Sequence, residues 1–133
     1  MIKTTDVWVW SYNLENEQLD TLTKGKWLVY ASLDHLASVF QSVDVLVERG
    51  AIYMAKYSHK QNLYLDPFPL SEPVMCVYAD DRTKADVRLE LLNLGVMPDR
   101  WKYESETKDD LSEDGELRRK SDLERMIWGF EGL

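Results

Sequence analysis

Three sets of residues have the types and spacing to do chemistry. The first is Lys56 with His59 three positions on. Lys56 interrupts residues 51–58, which otherwise alternate as a half-buried strand. A lysine desolvated there has its pKa lowered and can remove a proton, or it can clamp a phosphate. A histidine beside it suits general-acid work. The second set is aromatic: Trp8, Trp10, Tyr12, Trp27, Tyr53, Tyr57, Trp101 and Tyr103 recur at strand positions. Rings on an open sheet face stack bases and other flat ligands. The third is basic: Lys24, Lys26, Lys60, Arg82, Arg100 and Lys102. Lys56 and His59 are therefore the candidate catalytic pair. Trp10, Lys26, Trp27, Tyr57, Trp101 and Lys102 are the candidate ligand-binding residues. Each set also has a plainer reading, in which rings fill the core or pair across strands and lysines face solvent. Asp80-Asp81 has two readings as well: a cation-binding carboxylate pair, or a helix start with Asp81 as cap and Asp80 complementing the dipole.

Other chemistries are set aside. The chain has no G-x-x-x-x-G-K-[ST], G-x-G-x-x-G, H-E-x-x-H or G-x-S-x-G, so P-loop hydrolysis, dinucleotide binding, zinc proteolysis and elbow-type nucleophilic catalysis lack their signatures. No cofactor is expected. Two histidines, His35 and His59, and a single cysteine argue against a metal site. Cys76 lies in an apolar run where a buried, inert thiol is expected, compatible with a reducing compartment. Residues 1–6 lack the apolar core of a signal peptide, and no run of 18 apolar residues occurs. A cytoplasmic protein with no membrane span is the expectation.

The net charge of −8 over 133 residues is uneven. Residues 104–133 hold ten acids and five bases, a net of −5, against −3 for residues 1–103. Non-specific nucleic-acid binding is disfavoured, because it rests on basic patches that release counterions. A local basic pocket remains compatible with this balance.

The elements that must position these residues follow from periodicity. Residues 6–12 alternate strictly, with Trp8, Trp10 and Tyr12 on one face of a strand. Polar residues 13–25 form a loop, and 26–31 a second strand. Ser32 offers an N-cap to a helix running to Arg49, and Gly50 suits the left-handed position after it. Residues 51–58 are a third strand, and 59–73, with three prolines, an excursion of the kind that holds ligands. A strand at 74–79, a helix at 82–94 closed by Gly95 and a strand at 100–103 complete the body. One α+β domain is expected over residues 1–104, its mixed, mainly antiparallel sheet having helices packed on one face. The other face is left to aromatic and polar side chains. An acidic linker, expected to be mobile, spans 105–115. Residues 116–133 carry a C-terminal amphipathic helix that packs on the domain or extends from it.

Three stretches in order resemble one family. Lys24-Gly25-Lys26-Trp27-Leu28-Val29-Tyr30 is similar to its G-K-W opening, and Ala55-Lys56-Tyr57-Ser58 to its A-K-x-S strand. Val77-Tyr78-Ala79-Asp80-Asp81, the helix ending at Leu94-Gly95, and Trp101-Lys102-Tyr103 resemble its second half. This is the basophilic leukaemia-expressed protein family, whose domain also carries a phosphothreonine-lyase label. Its fold is similar to that of the cap-binding translation initiation factor 4E. The resemblance covers roughly residues 8–104 and implies two functions. One is β-elimination of phosphate from phosphothreonine, with Lys56 as base, His59 as acid and Lys26 and Lys102 as phosphate clamps. The other is a small acidic binding protein that holds a nucleotide-like or phosphorylated ligand between aromatic and basic side chains, and this is the reading adopted. A third reading comes from the sequence alone: a protein-interaction factor or inhibitor using the acidic tail, with Leu123, Met126, Ile127, Trp128 and Phe130 anchoring a partner in helix-in-groove fashion.

Overall fold

The computed structural model describes residues 1–59, 63–65, 68–70 and 73–105. The expected helix at 116–133 with its five apolar anchors, the linker beyond Ser105, and Lys60 lie outside the described residues.

The chain forms β1 (Ile2–Thr4), β2 (Trp8–Tyr12), β3 (Gly25–Tyr30), helix α1 (Leu33–Glu48), β4 (Met54–Ser58), β5 (Leu63–Leu65), β6 (Phe68–Leu70), β7 (Val74–Ala79), helix α2 (Lys84–Asn93) and β8 (Arg100–Tyr103). Six strands make one sheet in the order β1-β2-β4-β7-β3-β8, and β5 and β6 pair separately. The class is α+β, as expected. The sheet is not mixed, however, because every described pairing is antiparallel. The reason lies in the two helical crossovers. Strands β3 and β4, joined by α1, run parallel but have β7 between them. Strands β7 and β8, joined by α2, run parallel with β3 between them. Each crossover leaves a one-strand gap, and the other unit fills it in the opposite direction.

Helix α1 starts where Ser32 Oγ accepts from the His35 N–H at 3.3 Å. It ends at Arg49, with Gly50 at φ 79°, a conformation open to glycine at little steric cost. It buries Leu36, Val39, Phe40, Val43 and Val47, and α2 buries Val87 and Leu91. Against them the sheet presents Val29, Ala55, Met75, Val77 and Ala79, which join the same buried cluster. Cys76 is buried, on the opposite face.

Three boundaries differ from the expectation. Strand β1 carries no alternation signal, yet it pairs along β2 from Ile2↔Ser11 to Thr4↔Val9. Residues 51–53 are a bend rather than the start of β4, because the Asn16 side chain takes the Ile52 and Tyr53 carbonyls at 3.2 and 3.1 Å. The excursion at 59–73 contains the β5–β6 hairpin. Among the described residues no helix is long and apolar enough to cross a membrane.

Candidate functional site

Antiparallel pairing places directly opposed residues on one face, so the register decides which side chains meet. One row runs Lys3–Trp10–Lys56–Cys76–Leu28–Arg100 across all six strands. The next runs Tyr12–Met54–Tyr78–Lys26–Lys102. Both lie on the face away from the helices. Of the residues singled out in the sequence, Trp10, Lys26, Lys56 and Lys102 therefore share a face.

The centre of this face is an aromatic box around one ammonium. Lys56 Nζ lies 4.2 Å from the Trp8 ring centroid, 4.8 Å from Trp10 and 5.9 Å from Tyr78. Lys56 and Trp10 are both 0% exposed. Attraction between an ammonium and a ring face strengthens when water is excluded. Val7, Tyr12, Leu19 and Tyr53 pack against the same cluster. The expectation of an open aromatic face thus needs correction: these rings are buried. Lys26, 5% exposed, sits 6.0 Å from the Tyr78 centroid, with Glu104 Oε1 3.7 Å from its Nζ. Accessibility rises toward β8, where Lys102 is half-buried and Tyr30 and Arg100 are exposed.

Trp27, Tyr57 and Trp101 fall on the helix side. Trp27 Nε1 donates to the Lys84 carbonyl at 2.9 Å and its ring meets Trp101 edge-on, centroids 5.3 Å apart. Tyr57 meets Phe40 edge-on at 4.7 Å, and burial pushes its phenol above the usual range. The split was readable in advance. Lys26-Trp27, Lys56-Tyr57 and Trp101-Lys102 are adjacent pairs, and neighbours in a strand point to opposite faces.

His59 follows β4 at the end of the sheet. Its backbone N–H donates to the Val7 carbonyl at 3.1 Å and its Nε2 lies 2.7 Å from the Thr5 carbonyl. A carbonyl only accepts, so Nε2 carries the proton and the imidazole is tied to the β1–β2 turn. Lys56 and Lys102 stand three strand spacings apart and in different rows, so more than about 14 Å separates them at ~4.8 Å per spacing.

Asp80 and Asp81 are not a bare carboxylate pair, and Asp81 is not the expected cap. Thr83 occupies the N-cap of α2, without a side-chain capping bond. Asp80 is buried at the end of β7, where it accepts from the Asp20 and Arg82 backbone N–H groups at 2.8 and 3.0 Å and from Arg82 Nη2 at 2.7 Å. Burial pushes its carboxyl up; Arg82, the Asp20 N–H and the Thr83 hydroxyl outweigh this and hold it at about 2. Asp81 accepts from the Tyr103 hydroxyl at 2.7 Å, and Lys84 Nζ donates to the same tyrosine oxygen at 2.7 Å. The Tyr103 hydroxyl first, and then Lys84 Nζ, which also lies 3.2 Å from Asp81 Oδ1, lower the Asp81 carboxyl.

Sequence reasoning left Tyr78 and Glu104 out of the site. Alternation in β7 is the signal for Tyr78, since it shares parity with Cys76. Glu104 carries no such signal, because its approach to Lys26 depends on β8 lying beside β3. No protein-family model, curated protein or solved structure matches this chain significantly.

Proposed function

We propose that this protein is a binding module for a nucleotide-like or phosphorylated ligand, held by the cations and rings of the sheet face opposite the helices. One observation carries the reading: the register brings Lys26, Lys56, Arg100 and Lys102 to the same face as Trp8, Trp10 and Tyr78. A chain of net charge −8 has gathered its strand cations on one side of its sheet. Cations there would hold phosphate by charge-assisted hydrogen bonds, and Tyr30, the exposed ring at the β3–β8 end, would stack a flat group, while the buried rings of Trp8, Trp10 and Tyr78 form the floor beneath. The ligand enters at the accessible β3–β8 end, where Lys102, Arg100 and Tyr30 meet it first. The likeness to the cap-binding initiation factor belongs to the same reading, supported by helices confined to one side of an antiparallel sheet.

Tryptophan fluorescence tests it, because Trp8 and Trp10 border the box. Titration with mononucleotides, dinucleotides and phosphopeptides is expected to give saturable quenching with at least one class. Lys102→Ala is expected to weaken that binding by about 1.5–3 kcal/mol, the range for a hydrogen bond to a charged group. A flat response across the panel overturns the reading. Release of inorganic phosphate from a phosphothreonine peptide would replace binding with elimination chemistry.

A further inference from the structure

A cavity lies beside the aromatic cluster, between the 13–24 loop, the turn after α1 and the start of α2. We propose that it binds a small zwitterion of the α-amino-acid class with an apolar side chain. Its volume is about 290 Å3, at the lower edge of the ~300–1,000 Å3 of ligand pockets, which suits one small molecule and not a dinucleotide. Leu19, Tyr53 and Val87 supply apolar wall, and Glu17, Arg82 and Asn16 supply charge and polarity.

The two charged residues are placed for opposite ends of one ligand. Arg82 is anchored by Asp80, which accepts from its Nε at 3.1 Å and its Nη2 at 2.7 Å, while Nη2 also donates to the Gln18 carbonyl at 3.3 Å. This leaves Nη1, whose charged neighbour among the described residues is Glu17 Oε1 at 3.7 Å. Side chains 54% and 88% exposed at that separation form a weak pair, worth about 0–1 kcal/mol, that a ligand can open. Asn16 is fixed too. Its Nδ2 is engaged by the carbonyls of Val47, Ile52 and Tyr53, which aims Oδ1 at the Gly50 side of the cavity.

A carboxylate on Arg82 Nη1, with an ammonium on Glu17 and Asn16 Oδ1, gives every charge an opposite neighbour. A simple acid would instead face Glu17, and a simple amine would face Arg82. The 3.7 Å between the rim charges selects ligand charges on adjacent carbons, as in an α-amino acid, over charges at the two ends of a chain. The apolar side chain then lies against Leu19, Tyr53 and Val87.

The test is amide chemical-shift mapping of the full chain with leucine, phenylalanine and glycine at millimolar concentration. Leucine or phenylalanine is expected to give saturable shifts at Asn16, Leu19, Tyr53 and Val87. The deaminated acid and the decarboxylated amine of the same side chain should each bind at least about tenfold more weakly. Glu17→Gln should weaken binding by about tenfold and leave the unfolding midpoint unchanged, since Glu17 is exposed. It is preferred to an Arg82 variant, which would also strip Asp80 of its partner. The proposal is overturned by the absence of saturable shifts at these four residues, by equal binding of the acid or amine alone, or by indifference to Glu17→Gln.

Discussion

Asp80 joins three parts of the chain through one carboxylate: the loop at Asp20, its own turn at Arg82 and Thr83, and the end of β7. Its folded value of about 2 lies below the ordinary 3.8, so the native state favours the ionised form. That contribution is present above the unfolded value and is lost as pH falls from about 4 through 2, amounting to about 2 kcal/mol. Thermal unfolding followed against pH is expected to show this acid slope in the wild type and a flatter one in Asp80→Asn. The variant should also be less stable at neutral pH by about 1–3 kcal/mol, because Arg82 loses its charged partner. At Lys56, truncation to alanine removes a buried stem packed among three rings. An expected loss of about 2–4 kcal/mol, read by denaturant unfolding, checks whether the aromatic box is also a structural centre. Much at this scale was legible in the sequence: Trp8 and Trp10 sharing a face, and Lys26, Lys56 and Lys102 leaving their neighbours Trp27, Tyr57 and Trp101 behind, follow from strand parity alone. The burial of Trp10 and Lys56 was not, since parity assigns a face without saying what lies over it.

The junction of β3 with β8 shows how closely two strands can be held. A Cβ on Gly25 would sit 2.6 Å from the Lys102 carbonyl oxygen and 2.7 Å from the Trp101 ring. Backbone cannot yield at low cost, so Gly25→Ala is expected to prise β8 from β3. A stability loss of roughly 1–3 kcal/mol and faster amide exchange at residues 100–103 would register this. The loop before β3 depends on Asn16, whose side chain serves three carbonyls of the α1–β4 connection. Asn16→Ala is expected to cost about 1–3 kcal/mol in the same measurement. The long alternating and helical segments were legible as elements. Of the ones that were not, β1 and the bend at 51–53 are set by partners distant in sequence, and the late start of α2 by a local turn. Ile2–Thr4 needs β2, the bend needs Asn16, and Thr83 becomes the cap because Asp80 turns back into its own hub.

Strand order is a property of the whole molecule, and local pattern does not contain it. Helices between strands suggested parallel neighbours; instead β7 stands between β3 and β4, and β3 between β7 and β8. Pairs such as Trp27↔Val77 and Gly25↔Tyr103 join residues far apart in the chain. Non-local pairing is slow to reward loop closure, so stopped-flow refolding is expected on the millisecond-to-second scale rather than the microseconds of helical bundles. The same interleaving bears on where the chain can be divided. Residues 1–59 contain β3 with neither of its sheet neighbours, and residues 73–105 contain β7 and β8 with no strand between them. Neither half holds a complete hydrophobic layer, yet each carries the strand the other lacks. A cut in the 59–73 connection should therefore yield two polypeptides that are unfolded alone and assemble as a noncovalent heterodimer on mixing, so that the intact protein is a pair of complementary half-sheets tethered by one loop.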